Sequence, residues 1–100
     1  MKTEVAGLSQ RAKEIILEAA RSEDGMVYMT SFLGNYFVAA NHRSFGDGTS
    51  ASNSENTMAI NELLNGGLVT YETESSSRRG YKLAAGGYLA AEKLDQLAAA

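Results

Sequence analysis

The stretch from Asn56 to Leu89 reads NTMAINELLNGGLVTYETESSSRRGYKLAAGGYL, and its pattern of apolar, glycine and polar residues decides the fold. Its first part carries apolar residues at helical spacing, at Ala59, Ile60, Leu63 and Leu64. The glycine pair 66–67 ends that helix. Alternation over 68–74 then predicts a strand, 75–80 a polar turn, and 81–83 the return strand of a β-hairpin. A further helix follows from Ala85 to Leu97.

The beginning of the first of these helices is indicated by the pattern S-x-x-E. Ser52 and Glu55 have the spacing of a capping box, in which the serine oxygen and the carboxylate satisfy free amide groups of the first turn. We therefore predict that the helix begins near Asn53.

The segments NELLNGGLV (61–69) and YKLAAGGY (81–88) resemble the second half of a winged-helix domain. In that family a helix that ends in glycine precedes a two-stranded wing, and the return strand has the form Tyr-x-Leu-Thr-x-x-Gly. The resemblance implies that the hairpin is a wing and that the last helix closes the fold. Ala84 departs from the family pattern, which has threonine or serine there, and forgoes about 1 kcal/mol of helix capping.

Length and composition set the limits of the architecture. One hundred residues with 44% apolar content are expected to form a single domain, residues 1–97, and we interpret residues 98–100 as a remnant of cloning. No apolar run is long enough to cross a bilayer, and the N-terminus lacks a signal sequence, so a cytoplasmic location without membrane contact is expected. The absence of cysteine excludes disulfides and thiolate sites.

The first half of the chain predicts a helix and then a strand. Apolar residues recur at helical spacing from Leu8 to Ala20, and Ser9 is in position to cap the helix. Residues 22–25 break the helix. The β-prone run Met26–Thr30 follows and predicts a strand.

The segment Ser31–Ala40 has two interpretations. Gly34 and Asn35 form a common two-residue turn, and the β-prone residues after them predict a strand that pairs with Met26–Thr30. The alternative is a helix that buries Phe32, Leu33, Tyr36 and Phe37. Gly34 and the consecutive β-prone residues favour the strand. With Asn41–Ser50 as a loop, the prediction is a winged-helix-like α+β fold in the order α-β-β-α-β-β-α, in which a strand pair replaces the usual second helix.

The candidate nucleic-acid contacts are few and have ordinary structural explanations. Asparagines at the start of the central helix could bind adenine but more commonly act as caps, and arginines on a hairpin could hold phosphate but are more commonly solvated. The candidates are Arg43, Asn53, Asn56, Arg78, Arg79 and Lys82. The net charge of −3, the pI of about 5.0 and the lack of Lys or Arg between Ser52 and Asn65 disfavour DNA.

No catalytic or metal-binding motif is recognisable. His42 is the single histidine and is expected to be an ordinary loop residue, because no ligand pair accompanies it. Asp47 lies in a G-D-G sequence without the other acidic residues of a calcium loop, so a turn is expected. No phosphate-binding loop or nucleophile elbow occurs. We therefore predict no catalytic residue, no metal and no cofactor.

Two functional hypotheses follow. The first is a non-enzymatic protein-interaction or regulatory module, attached to a larger polypeptide or bound to a protein partner, with a homodimer as one form of that partnership. The second is a DNA-binding transcriptional regulator that uses the helix from Asn53 and the wing arginines. They differ in whether Arg43, Arg78, Arg79 and Lys82 converge on the outward face of that helix.

Overall fold

The computed structural model describes residues 7–75 and 77–99, which form an α+β fold with three helices and five strands. The elements in chain order are α1 (Gln10–Arg21), β1 (Met26–Phe32), β2 (Asn35–Ala40), β3 (Arg43–Phe45), α2 (Ser50–Asn65), β4 (Val69–Glu74), β5 (Arg78–Leu83) and α3 (Ala85–Ala99). The predicted order is wrong by one strand, because β3 lies within the segment that was predicted to be a loop.

The five strands form one sheet in the order β3-β2-β1-β5-β4, and every neighbouring pair is antiparallel. Alternate residues of the strands are buried on one face, including Val27, Val38 and Tyr81. The helices cover that face and contribute Ile15, Ile16, Ile60 and Leu63 to the core. The other face carries no helix among the described residues.

The β1–β2 hairpin confirms the strand interpretation of residues 31–40 over the helix. Its pairs run from Val27 with Ala40 to Phe32 with Asn35. The two-residue turn is Leu33-Gly34, not the predicted Gly34-Asn35, and both turn residues have positive φ, at 51° and 80°. That combination matches the right-handed twist of the flanking strands.

A second turn of the same kind creates β3. Asn41 and His42 have φ of 52° and 65°, and Arg43 pairs with Ala40 across the turn. Asparagine adopts the left-handed region more readily than most residues. Because the resulting strand has only three residues in a polar segment, composition alone indicated a loop.

Helix α2 begins earlier than predicted because a different residue caps it. Thr49 accepts a hydrogen bond from the N–H of Ser52 (3.1 Å), so the helix starts at Ser50 rather than near Asn53. The Ser52 hydroxyl instead accepts from the N–H of Asp47 (3.2 Å), and Glu55 pairs with Arg11. The predicted capping box is therefore wrong.

The remaining boundaries agree with the pattern to within a few residues. Ser9 caps α1, as predicted, and Gly67 adopts φ of 70° after α2. Strand β5 begins at Arg78 rather than Tyr81, so Arg78 and Arg79 lie in a strand and not in a loop. Helix α3 continues to Ala99, beyond the predicted end at Leu97. Among the described residues, no helix combines the length and apolar character needed to span a membrane.

Candidate functional site

Asn56, one of the candidate DNA contacts, lies in the interior. Its side chain is fully buried, and its amide donates to the carbonyl oxygens of Tyr36 (2.9 Å) and Phe45 (3.0 Å). Its oxygen accepts a hydrogen bond from the guanidinium of Arg11. The amide therefore joins α1, α2 and the β2–β3 hairpin, and it presents no free group to a ligand.

Asn53 has a similar attachment closer to the surface. Its oxygen accepts from the N–H of Tyr36 (3.0 Å), and its amide donates to the side-chain oxygen of Asn35 (3.2 Å). Because both asparagines face β2, they hold α2 against the sheet instead of pointing outward along the helix.

Arg43 is held at the β3 edge of the sheet by α1. Its guanidinium pairs with Glu18 (3.1 Å) and Glu14 (3.4 Å) and lies over the ring of Phe45, 4.7 Å from the ring centre. Asn41 also donates to Glu18 (3.3 Å). These hydrogen bonds from Asn41 and Arg43 lower the pKa of Glu18, because they stabilise its charged form.

The three cations of β5 lie on opposite faces of the sheet. Arg78 and Lys82 are exposed on the face without helices, where the Arg78 guanidinium stacks 4.2 Å from the ring centre of Tyr28. Arg79 lies on the other face and pairs with Glu74 (2.9 Å). The hydrogen bond that Arg79 donates to the Glu74 carboxylate raises the pKa of Arg79.

The four cations therefore do not all converge on α2, although Arg78 and Arg79 both line a groove beside that helix. Arg43 lies with α1, Arg78 and Lys82 lie on the uncovered sheet face, and Arg79 is paired with a carboxylate. Phosphate binding requires several free cations on one surface. The geometry that would favour the DNA hypothesis is absent from residues 7–75 and 77–99.

Four exposed apolar side chains lie on the β1–β2 hairpin and the neighbouring part of α2, whereas Tyr71 on β4 and Tyr88, Leu89 and Leu97 on α3 are exposed elsewhere. The β1–β2 turn carries Phe32 and Leu33, 63% and 84% exposed, which we call the apolar tip. Tyr36 on β2 and Met58 on α2 are 40% and 58% exposed, and they line a shallow depression together. Sequence reasoning missed this surface because it assigned the apolar residues of this segment to strand or core.

A groove beside the apolar tip separates α2 from the β4–β5 hairpin. This α2 groove has a volume of about 450 Å³ and is lined by Met29, Ser31, Tyr36, Thr57, Ile60, Asn61, Leu64, Glu74, Ser75, Ser77, Arg78, Arg79 and Tyr81. Ile60 and Tyr81 are almost fully buried, whereas Thr57, Asn61 and Arg79 are exposed. The groove thus has an apolar base and a polar rim, an arrangement typical of binding sites.

The tip and the groove are joined by the backbone. The N–H of Ser31 donates to the carbonyl oxygen of Ser77 (2.8 Å), which connects the end of β1 to the β4–β5 loop. Ser31 also lines the groove and precedes Phe32 directly. The apolar tip and the α2 groove therefore form one continuous surface with fixed relative positions.

Leu33 has an unfavourable backbone conformation for its residue type. Non-glycine residues with positive φ are uncommon, and Asn or Gly normally occupies such a turn position. Leu33 also exposes an apolar side chain to water. Neither property stabilises the isolated domain.

Other parts of the surface show little chemistry. His42 lies exposed on the β2–β3 turn, beside an open groove that also includes Glu23, Asp24 and Asn41. Asp47 accepts hydrogen bonds from the N–H (3.0 Å) and hydroxyl (2.7 Å) of Thr49, in agreement with the predicted turn. The described part of the chain contains no group of three or more His, Cys, Asp or Glu residues that could hold a metal.

Comparisons with known proteins give no relative for this chain. No protein-family model matches it, and no curated protein or solved structure is significantly similar to it. The functional inference therefore depends on the surface itself.

Proposed function

We propose that this chain is a non-enzymatic protein-interaction module with a winged-helix-like arrangement, in which the β4–β5 hairpin is the wing. Its binding surface is the apolar tip together with the α2 groove. The observation that carries the proposal is Leu33, which is 84% exposed and has a φ of 51°. A partner that covers this side chain would offset its cost in the isolated domain.

The surface favours a protein partner over nucleic acid because of its chemistry. Large apolar side chains next to a groove with few free charges are typical of the centre of protein interfaces. Phosphate contacts by Lys and Arg supply much of the affinity for DNA, and helix α2 contains neither residue. The DNA-binding alternative thus has the weaker support.

A photo-crosslinking amino acid at position 33 tests the proposal in cells that naturally make the protein. We expect protein adducts from position 33 and none from position 44, since Ser44 is also exposed but lies on β3, away from the tip. Mass spectrometry of the adducts identifies the partner. Equal adduct formation at both positions, or none at position 33, would contradict the proposed surface.

Fluorescence anisotropy with a labelled mixed-sequence DNA duplex tests the alternative. We expect no binding at low salt. Binding that weakens steeply with salt, and weakens further in the variant Arg78→Ala/Arg79→Ala, would replace the proposal by DNA recognition through the wing.

A further inference from the structure

We propose that the partner at this surface is a second copy of this chain, and that the apolar tip of each copy occupies the α2 groove of the other. This inference rests on the proposed function and assigns its partner. Two identical contacts, related by a two-fold axis, would then hold a homodimer together.

The size of the exposed apolar surface is sufficient for such a dimer. Taking about 200 Å² for each large side chain, the exposed fractions of Phe32, Leu33, Tyr36 and Met58 amount to roughly 500 Å² per copy. A standard interface buries about 800 Å² per partner. The four side chains would thus supply more than half of that area, and the polar rim of the groove would supply the remainder.

The position of the tip next to the groove favours a closed pair. A two-fold interface must contain both complementary parts on the same surface, because each copy contributes the same residues. Ser31 and Tyr36, which pair with each other and both line the groove, flank the turn that carries the tip. A tip far from its groove would instead produce an open chain of molecules.

The charges on the two parts allow identical copies to meet. The tip is uncharged, and the apolar base of the groove includes Ile60 and Tyr81. On the rim, Glu74 and Arg79 already pair with each other and contribute no net charge. Arg78 also lines the groove, but because the tip is uncharged, a tip placed against it adds no like-charge repulsion, although the protein as a whole has a net charge of −3.

The leucines of α3 can be compared with Leu33 of the apolar tip. Leu89 and Leu97 are 58% and 61% exposed, whereas Leu94 is 9% exposed and belongs to the core. None of these leucines lines the α2 groove, the depression beside Met58 or the groove beside His42. Leu97 is therefore a matched control for Leu33: the same residue type, exposed, but outside the proposed interface.

Sedimentation velocity of the full chain over a wide range of concentrations tests the dimer. We expect a species of twice the 10.7 kDa monomer mass that dissociates on dilution. Leu33→Asn should weaken the dimer at least tenfold, which corresponds to about 1.4 kcal/mol. Leu97→Asn should leave the dissociation constant unchanged.

A mixture of two variants distinguishes a tip in a groove from a contact between two tips. Asn61→Arg places a large charged side chain at the exposed rim of the groove and leaves the tip intact. Each variant alone should be monomeric. In a mixture, the tip of Asn61→Arg still fits the groove of Leu33→Asn, so a heterodimer with one contact should form. Circular dichroism would verify that both variants are folded.

Three results would overturn the homodimer. They are a monomer at every concentration, a dimer that Leu33→Asn leaves intact, and a dimer that Leu97→Asn dissociates as strongly as Leu33→Asn does. Crosslinks from position 33 to a different protein, together with a monomer in sedimentation, would refute the homodimer and retain the protein-interaction function. No crosslinks and no dimer would refute both.

Discussion

The two turns of the β1–β2–β3 meander have the same backbone geometry, but one is hydrogen-bonded to α1 and the other is exposed to solvent. Leu33-Gly34 and Asn41-His42 both have positive φ at two successive residues. Asn41 suits that conformation and donates a hydrogen bond to Glu18 on α1, whereas Leu33 is unsuited to it and is almost fully exposed. Asn41 therefore stabilises its turn within the domain, whereas Leu33 does not, and the proposed binding surface would account for leucine at that position.

The largest effect on stability is expected at Asn56, which joins the β2–β3 hairpin to α1 and α2. Asn56→Ala should lower the free energy of unfolding by about 3 kcal/mol, because two buried carbonyl groups and Arg11 would lose their hydrogen bonds. Urea denaturation measures this change. Asn53→Ala, at a more exposed site, should cost about 1 kcal/mol. Equal losses in both variants would show that burial of Asn56 contributes nothing.

Asn41→Leu tests the anchored turn directly. The substitution places leucine in a left-handed conformation and removes the hydrogen bond to Glu18, so we expect a loss of about 1.5 kcal/mol. The matched change Asn65→Leu, at the exposed end of α2, should stay within about 0.5 kcal/mol of the original chain. An unchanged urea midpoint in Asn41→Leu would remove the distinction between the two turns.

Leu33→Asn is the reciprocal substitution, and it should stabilise the domain rather than destabilise it. Asparagine tolerates φ of 51° better than leucine, so we expect a gain of about 1 kcal/mol in the free energy of unfolding. The measurement belongs at a concentration where the chain is monomeric, since association would add its own stabilisation. Leu97→Asn, at a helical position, should show no such gain. A loss of stability in Leu33→Asn would mean that the leucine packs within its own domain.

The smallest effect concerns the pH dependence of the anchored turn. The pKa of Glu18 is lowered from 4.5 in the folded protein, so its contribution to stability is complete above that value and disappears as the pH falls through the folded value. The difference in unfolding free energy between the original chain and Glu18→Gln should therefore shrink on acidification. Arg43→Ala, which removes one cause of the shift, should flatten this dependence. If the difference in unfolding free energy between the original chain and Glu18→Gln were constant with pH, the stabilising role of charged Glu18 would be contradicted.

The parts of the fold that follow from periodicity could be predicted from the sequence. The helices, the β1–β2 hairpin and the β4–β5 hairpin extend over enough residues for apolar spacing to identify them. Strand β3 has three residues, so no pattern can identify it. The true cap of α2 was hidden because Thr49, Ser50, Ser52 and Ser54 can all cap a helix, and tertiary contacts of Ser52 and Glu55 decide between them.

The candidate site was less predictable because exposure depends on tertiary structure. Phe32 and Leu33 continue an apolar strand, and the sequence does not show that this strand extends beyond the cover of the helices. The roles of Asn53 and Asn56 were equally hidden, since their hydrogen-bond partners lie on β2 and β3. The one local signal was leucine directly before glycine in a two-residue turn.

The pairing of β1 with β5 has a consequence for the order of folding. Both the β1–β2–β3 meander and the β4–β5 hairpin join neighbouring segments, but Thr30 pairs with Arg78, 48 residues later in the chain. Closing so long a loop costs entropy before any contact compensates for it, so we expect the β1–β5 seam to form last and to set the folding rate. Stopped-flow refolding would show this as slower folding when the seam is weakened. The two turns, which form locally before the seam, would then affect mainly the folding rate and leave the unfolding rate almost unchanged.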